Sequence, residues 1–478
     1  MSRIIYGLLW KFIERTNIQI VSFVVSIILA RILEPTDYGN VAIVMVFISL
    51  ASVIVDGGLN SALIQKKDSD VVDFSTIFYS TLVLSALVYS TLFIVAPWIG
   101  KFYGNLELVK IIRVLGITIF CGALNSIQNA YSSKKLLFKK QFCCSFLGVV
   151  ISGIVGILLA LSGAGLWALV FQYLSLSLIT MIAMWLTVNW RPKLVFSKKS
   201  FNSLFNYGWK IFFTNMITSL FENVRSLIIG KVYNSANLAF FDRGKSVPSI
   251  VMDNVNASIQ SVMFPVLSER QDNIYDIQNL MRKSIRMSSY IIFPLLIGLL
   301  VIAEPLIVVL LTEKWLGAVP YVRIFCVALI LMPIQNINIV AIKAIGDSAI
   351  ILKLEAIKKI IEIIILIISI TISVQAIAWG VVICNCVSLF INLYPAKRMF
   401  GYGYLQQFAD AAMPLVLATV MGGIVFLLKY LPIGSVLLLF LSILIGFVVY
   451  VTFSIITRNS SFYYIIASLK ETLLRLRN

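Results

Sequence analysis

The chain of 478 residues is 60% hydrophobic and only 13% charged, and its mean hydropathy is +0.97. A soluble domain carries about 25% charged residues, so this chain has too little polar sequence to cover a soluble globule of its size. The composition therefore excludes an ordinary cytosolic enzyme, a disordered protein and a secreted disulfide scaffold. It indicates a polytopic membrane protein.

The net charge of +18 comes from 39 lysines and arginines against 21 acidic residues. The basic residues lie between apolar runs and not in one patch, which is typical of charges that orient membrane segments and argues against nucleic-acid binding. The chain has no histidine, and its six cysteines all fall in apolar runs. The sequence therefore predicts no metal or organic cofactor, and a Ser-His-Asp triad is excluded.

Apolar runs of about 20 residues recur along the chain, and each can cross a bilayer as a helix. The predicted spans are 9–31, 39–62, 73–99, 108–132, 141–161, 165–187, 204–229, 238–264, 288–311, 319–344, 350–373, 376–395, 408–429 and 435–457. The first is not expected to be a cleavable signal peptide, because Lys11, Glu14 and Arg15 interrupt its apolar core. We therefore predict an all-α polytopic membrane protein with about 14 transmembrane helices.

The distribution of basic residues predicts the orientation of these spans. With the N-terminus inside, 27 of the 39 lysines and arginines fall in inside segments and 8 fall at outside ends. This excess predicts that both termini are cytoplasmic. The cytoplasmic tail 458–478 is predicted to form an amphipathic helix on the inner membrane surface. Its apolar residues at helical spacing are Ile465, Leu469, Leu473 and Leu476.

The two halves of the chain resemble each other when the sequence is shifted by 200 residues, which aligns Arg31 with Lys231. Each repeat then holds six spans, and the even number makes the repeats parallel. The predicted domains are an N-terminal six-helix lobe (1–200), a C-terminal six-helix lobe (201–400) and two further transmembrane helices (401–457). A central cavity is expected between the two six-helix bundles.

Polar residues follow one helical face in each of two corresponding spans. In span seven their spacings are 4, 4, 4 and 3, which places them on a continuous stripe. The two stripes are Lys210, Thr214, Thr218, Glu222 and Arg225 in span seven and Lys11, Glu14, Arg15, Gln19, Ser22 and Ser26 in span one. Spans two and eight add Asp56 and Asp253. Since ionisable groups are expensive at membrane depth, the stripes predict a water-filled, cation-rich cavity between the lobes.

Purely structural roles for the same residues stay open. Lys11 and Arg15 can be orientation anchors that extend to the inner membrane surface. Glu222 and Arg225 can form a local pair on one helix. The serines and threonines can hydrogen-bond between helices.

A second polar pattern consists of amide side chains in spans four and ten. They are Asn125, Gln128, Asn129, Gln335, Asn336 and Asn338. Such groups can bind sugars, but hydrogen bonding between helices is the favoured role.

The first junction, 29–39, reads LARILEPTDYG and is followed at 56–65 by DGGLNSALIQ. This pattern resembles the start of the Wzx-type polysaccharide transporters, the lipid-linked oligosaccharide flippases, and especially their colanic-acid-exporter-like branch. The segment LAFFDR at 238–243 is similar to the same junction in their second half. The resemblance implies the fold of the multidrug/oligosaccharidyl-lipid/polysaccharide exporter superfamily, with two six-helix bundles that work by alternating access.

The resemblance also implies a function. An undecaprenyl-pyrophosphate-linked oligosaccharide would be moved across the bacterial cytoplasmic membrane for O-antigen, capsule or exopolysaccharide synthesis. Arginine and lysine in a low-dielectric cavity can pair with the pyrophosphate. The candidate cations are Lys11, Arg15, Lys210, Arg225 and Arg243, with Lys245 as a secondary candidate. Glu14, Asp56, Glu222 and Asp253 are candidates for their partners or for a proton or sodium site. Expected partners are membrane lipids and the polymerase and glycosyltransferase machinery, with no nucleic acid.

Three other functions compete with this one. A drug or cation exporter of the same superfamily should line its cavity with acids, whereas spans one and seven carry an excess of two positive charges. A peptidoglycan-precursor flippase has a similarly basic cavity, and only the junction at 31–39 favours the polysaccharide branch over it. A membrane polymerase or ligase needs a large outer loop with catalytic groups, and the predicted outer connections are all short. The protein is therefore not expected to be an enzyme.

Overall fold

The computed structural model describes residues 2–66, 68–270, 273–346 and 348–467. Side chains are described from Asn17 onward, apart from positions 258, 261, 262, 348 and 349. Every regular element in these ranges is a helix, which confirms the predicted all-α class. A helix satisfies its own backbone N–H and C=O groups, as a segment surrounded by lipid must.

The α-helices of the described residues are α1 (Ser2–Ile32), α2 (Pro35–Asp56), α3 (Leu59–Gln65), α4 (Val71–Tyr103), α5 (Glu107–Leu115), α6 (Ile117–Lys134), α7 (Phe138–Leu161), α8 (Leu166–Thr187), α9 (Lys198–Val232), α10 (Ser235–Glu269), α11 (Ile274–Leu311), α12 (Val319–Leu329), α13 (Met332–Ile345), α14 (Ser348–Ile370), α15 (Val374–Phe400), α16 (Tyr404–Leu427) and α17 (Ser435–Ile456). Short 3-10 helices occupy Glu313–Ala318 and Leu428–Tyr430.

Each predicted span lies on one of these helices or on two consecutive ones. Among the described residues, eight helices are long and apolar enough to cross a membrane. A ninth span results if the segments Glu313–Leu329 and Met332–Ile345, bent by 42°, count as one. Helices α9 and α10 are not among them, because polar residues interrupt their apolar character. The protein is a multi-pass membrane protein, and the count of fourteen spans stays a prediction.

The chain forms two compact units, Met1–Ala239 and Phe240–Asn478. In the first unit, α7 packs against both α1 and α8, and α9 packs along α2, α3 and α4. The predicted lobes 1–200 and 201–400 follow the sequence repeat and stay a prediction. By its contacts, α9 belongs to the first unit although it begins the second repeat.

A glycine contact brings α9 against the junction of α2 and α3. Gly57 and Gly58 both have positive φ, +52° and +67°, which only glycine adopts easily. A Cβ atom on Gly58 would lie 2.2 Å from the carbonyl oxygen of Gly208 in α9. The two backbones can therefore pack directly on each other because neither position carries a side chain.

In the second unit, α11 packs against α12, α13, α16 and α17, and α14 packs on α15. Polar contacts join α11 to α17 and to the 3-10 helix Leu428–Tyr430. The Tyr290 hydroxyl donates to Ser454 Oγ at 2.8 Å, and Lys429 Nζ lies 3.0 Å from Glu304 Oε2. The predicted tail helix is described only as far as residue 467, where 460–467 are helical. Leu469, Leu473 and Leu476 lie outside the described residues.

Candidate functional site

Most of the polar stripe of α9 is left exposed when the helix packs against α2, α3 and α4. Leu204, Gly208 and Ile229 are buried on the packed side. Four of the five residues of the stripe are exposed on the surface of the unit: Lys210, Thr214, Thr218 and Glu222. The two threonine hydroxyls donate to carbonyl oxygens four residues earlier, at 3.0 and 2.9 Å, and so satisfy themselves within the helix. The charged groups are left for other partners.

The structure bears on the alternative of a local pair in α9. In the described part of the chain, no ion pair joins Glu222 to Arg225, and Glu222 is exposed. Arg225 is half-buried and has interactions of its own. Lys210 has no side-chain hydrogen bond or ion pair among the described residues. The α9 stripe therefore presents one cation and one carboxylate three helical turns apart, with Arg225 beyond them.

Three of the predicted site residues lie on α1. Lys11, Glu14 and Arg15 fall in its helical range, but their side chains lie outside those that the structure describes. The stripe continues into the described part of α1 with Gln19 half-buried and Ser22 exposed. The assignment of the three charged residues to a binding site stays a prediction.

Asp56 ends α2 in the first unit, half-buried, and accepts a hydrogen bond from the side-chain amide of Asn60. The other predicted residues lie on α10. Arg243 is half-buried, with its guanidinium carbon 5.4 Å from the centre of the Trp315 ring, while Lys245 and Asp253 are exposed. The structure thus places the α9 stripe and Asp56 in one unit and the α10 residues in the other.

Three of the six amides of spans four and ten join separate segments of their unit, in the role that the sequence favoured. Asn338 Nδ2 donates to Gln407 Oε1 at 2.8 Å, and Gln335 Nε2 donates to the Asn385 carbonyl at 3.0 Å. In the first unit, Gln128 Nε2 donates to the Trp190 carbonyl at 3.2 Å. These three buried amides stabilise helix packing and are not available to a sugar.

One charged cluster is absent from the sequence predictions. The carboxylate of Asp410 in α16 accepts hydrogen bonds from Arg282 and Arg286 of α11 and from the Tyr402 hydroxyl. The signals that could have found it are a single acid near the start of an apolar span and two arginines at i,i+4. Tyr402 lies between α15 and α16, and burial raises the pKa of its phenol far above the ordinary value, so that it remains a donor.

Solved structures of similar fold define the class of this protein. Over 95% of this chain and 99% of the other, the lipid II flippase MurJ in an inward closed conformation superposes with a TM-score of 0.76 at 15% identity. An inward-facing multidrug resistance MATE transporter of the MOP superfamily gives 0.61 at 16% identity, over 82% and 98% of the two chains. The chain is a polytopic helical membrane protein with the fold of this superfamily.

Sequence relatives give the family. The family described as "Polysaccharide biosynthesis protein" matches residues 28–320, more than half of the chain. The succinoglycan biosynthesis transport protein ExoT of Rhizobium meliloti is 21% identical over 94% of this chain and 92% of its own length. The lipopolysaccharide biosynthesis protein WzxC of Escherichia coli is 22% identical, over 70% and 68%. The teichuronic acid biosynthesis protein TuaB of Bacillus subtilis is 24% identical, over 70% of each.

The chain belongs to this polysaccharide biosynthesis family and is a Wzx-type transporter. The resemblance predicted from the junction at 29–39 is thereby confirmed.

Proposed function

We propose that this protein is a flippase for an undecaprenyl-pyrophosphate-linked oligosaccharide. It moves the repeat unit of a surface polysaccharide from the inner to the outer leaflet of the bacterial cytoplasmic membrane by alternating access. Both termini are cytoplasmic, and polymerase and glycosyltransferase machinery act after and before it. The reaction is transport and not bond-making, so no catalytic residue is assigned.

The exposed polar stripe of α9 carries this proposal. Lys210 lies on the surface of a helix whose neighbouring exposed residues include Phe213 and Ile217, 54% and 51% exposed. A lysine among apolar side chains at membrane depth pays a large desolvation penalty unless it meets water or an anion. A pyrophosphate offers that anion, and a charge-assisted bond to it is about twice as strong as a neutral one. The apolar side chains beside Lys210 suit the polyprenyl chain.

The carboxylates have a second role in the proposal. Glu222 lies about 18 Å along α9 from Lys210, too far to pair with it, but its exposed carboxylate can bind the proton or sodium ion that drives the cycle. Arg225 and Arg243, and on α1 Lys11 and Arg15, are proposed as further phosphate-binding cations. Glu14, Asp56 and Asp253 are the other proposed carboxylates.

Depletion of the protein in its native host, followed by mass spectrometry of extracted lipids, tests the function. We expect an undecaprenyl-pyrophosphate oligosaccharide to accumulate while one surface polymer is lost. Normal lipid-linked sugars together with accumulation of cationic dyes in the cells would overturn the flippase and support a drug exporter instead.

Variants of α9 test the site within the same assay. Lys210→Gln should reduce restored polymer export by about ten- to a hundredfold, the loss of one bond to a charged group. Lys199→Gln is the matched control, because Lys199 is an exposed lysine in the first turn of the same helix. It should complement like wild type. If both variants complement fully while depletion still accumulates the lipid, the function stands and the α9 site is wrong.

A further inference from the structure

The Asp410 cluster of the second unit holds more positive charge than its carboxylate neutralises. Asp410 Oδ2 accepts from Arg282 Nε at 2.9 Å and from the Tyr402 hydroxyl at 2.7 Å. Asp410 Oδ1 accepts from Arg282 Nη2 at 3.3 Å and from Arg286 Nε at 2.8 Å, and also from Arg286 Nη2. The carboxylate is 2% exposed. Two guanidinium groups thus share one buried acid, and one positive charge is in excess.

Both arginines still have donors to offer. Each uses its Nε and Nη2 atoms on Asp410, and in the described part of the chain neither Nη1 atom has a hydrogen-bond partner. The side chains are 41% and 43% exposed, although the carboxylate that they contact is buried. The unused edges of the two guanidinium groups are therefore accessible at the surface of the unit.

Further basic residues lie close to the cluster. Gln278, in the first turns of α11, donates its side-chain amide to the Gly401 carbonyl at 3.4 Å, so the α15–α16 connection lies beside the start of α11. The last turn of α15 carries Lys397 and Arg398, both exposed. The end of the unit around Asp410 is therefore strongly basic.

Two lysines of the first unit have internal partners. Lys66 pairs with the buried carboxylate of Asp73 at 2.6 Å, and Lys140 donates to the Thr187 carbonyl at 2.9 Å, at the end of α8. A single cation neutralises Asp73, whereas two contact Asp410. The second guanidinium at Asp410 therefore leaves a positive charge that the carboxylate does not neutralise.

The geometry points to a site for the phosphate group of an anionic phospholipid, formed by Arg282 and Arg286 at the inner membrane surface. The planar guanidinium presents donors in a fixed arrangement that matches phosphate oxygens. Asp410 holds both groups in place beforehand, so little side-chain entropy is lost when phosphate binds. The lysine and arginine distribution assigns this end to the cytoplasmic leaflet, where basic pockets between helices commonly bind anionic headgroups. This inference does not depend on which glycan the protein carries.

Native mass spectrometry of the purified full chain tests the site with dioleoylphosphatidylglycerol and dioleoylphosphatidylcholine as probes. We expect wild type to retain phosphatidylglycerol preferentially, and Arg286→Gln to retain it about tenfold less, as for the loss of one charge-assisted contact. Lys283→Gln is the matched control, because Lys283 is an exposed cation on the same helix without a contact to Asp410. It should leave retention unchanged. An equal loss in both variants, or no loss in Arg286→Gln, would overturn the site.

A conservative variant separates a built site from general positive charge. Arg286→Lys keeps the charge and a contact to Asp410 but removes the planar fork, and it is expected to fold even if Arg286→Gln does not. We expect Arg286→Lys to retain less phosphatidylglycerol than wild type. Retention at the wild-type level would show that general charge, and not a built site, holds the lipid.

Competitors separate the phospholipid from the two other sources of a phosphate group. We expect neither inorganic phosphate nor undecaprenyl pyrophosphate to displace phosphatidylglycerol when added at an equal concentration. Displacement by inorganic phosphate would reassign the site to a free anion. Displacement by undecaprenyl pyrophosphate would reassign it to the transported lipid, and either result would overturn the phospholipid assignment.

Discussion

Helices α9 and α11 both carry charged residues in apolar sequence, but they differ in whether those residues form ion pairs within their unit. On α11, Arg282, Arg286 and Glu304 each have an ionic partner on another segment of the second unit. On α9, Lys210 and Glu222 are exposed and lack an ion pair in the described part of the chain. These α11 groups each have an ionic partner within their unit, whereas Lys210 and Glu222 of α9 have none among the described residues.

This difference refines the rule that intramembrane charge indicates function. A polar group in a bilayer is destabilising until it finds a partner, and a partner within the fold converts it into a packing contact. The paired charges Arg282, Arg286 and Glu304 of α11 therefore stabilise the second unit, and Lys210 and Glu222 of α9 remain available to water, an ion or a substrate. Substitutions should accordingly affect stability on α11 and its partners, and transport on α9.

The largest effect on stability is expected at Asp410. Asp410→Ala removes the carboxylate that Arg282 and Arg286 share and leaves the buried Tyr402 hydroxyl without its acceptor. Because both arginines are partly exposed and can be hydrated, we expect a destabilisation of about 3 kcal/mol. Thermal unfolding of the purified protein in detergent would measure it. Asp253→Ala is the control, since Asp253 is exposed and should change the free energy of unfolding by less than about 0.5 kcal/mol. Equal melting temperatures for the two variants would show that the ion pairs of α11 do not stabilise the second unit.

An intermediate effect is expected on the packed side of α9. Gly58→Ala introduces a Cβ atom 2.2 Å from the Gly208 oxygen at a residue whose φ is +67°. Crowding of this kind typically costs about 1–3 kcal/mol. Gly122→Ala is the matched control in the same unit, because a Cβ there meets nothing within 4 Å and a helical alanine is slightly stabilising.

In the same assay, Lys210→Gln on the opposite side of α9 should leave the melting temperature unchanged. A clear loss of stability in Lys210→Gln would show that the α9 stripe is structural. Equal stability of Gly58→Ala and Gly122→Ala would show that the α2–α3 junction and α9 do not need their close contact.

The sequence predicted what depends on periodicity along the chain and missed what depends on contacts between distant segments. The apolar runs located the helices, since each run must satisfy its own backbone in lipid. The spacing of Lys210, Glu222 and Arg225 predicted a common face. The partnership of Asp410 with Arg282 joins residues 128 positions apart, so local patterns mark the acid and the arginine but not their pairing. The sequence repeat likewise did not predict that α9 packs within the first unit, because Gly58 and Gly208 come into contact only in the folded chain.

The smallest effect, and the most specific, is expected at Tyr402. Tyr402→Phe removes one hydrogen bond to Asp410 but leaves both arginine contacts, which should cost about 1 kcal/mol. Burial, and then the hydrogen bond to the Asp410 carboxylate, raises the pKa of Tyr402 above its ordinary value of 10.0. A raised pKa of this kind means that the stabilisation is complete below pH 10 and declines above it, because the unfolded chain then ionises the phenol first.

The difference in unfolding free energy between wild type and Tyr402→Phe should therefore be constant up to about pH 9. It should narrow above pH 10 and vanish within roughly one further unit, since each unit corresponds to about 1.4 kcal/mol. Urea unfolding at a series of pH values would measure it, and the other tyrosines cancel because both proteins contain them. A difference that stayed constant to pH 11 would mean that the pKa of Tyr402 is not raised, and that its hydrogen bond to Asp410 is not the source of the stabilisation. Only Arg282 and Arg286 would then remain as donors that stabilise the Asp410 carboxylate.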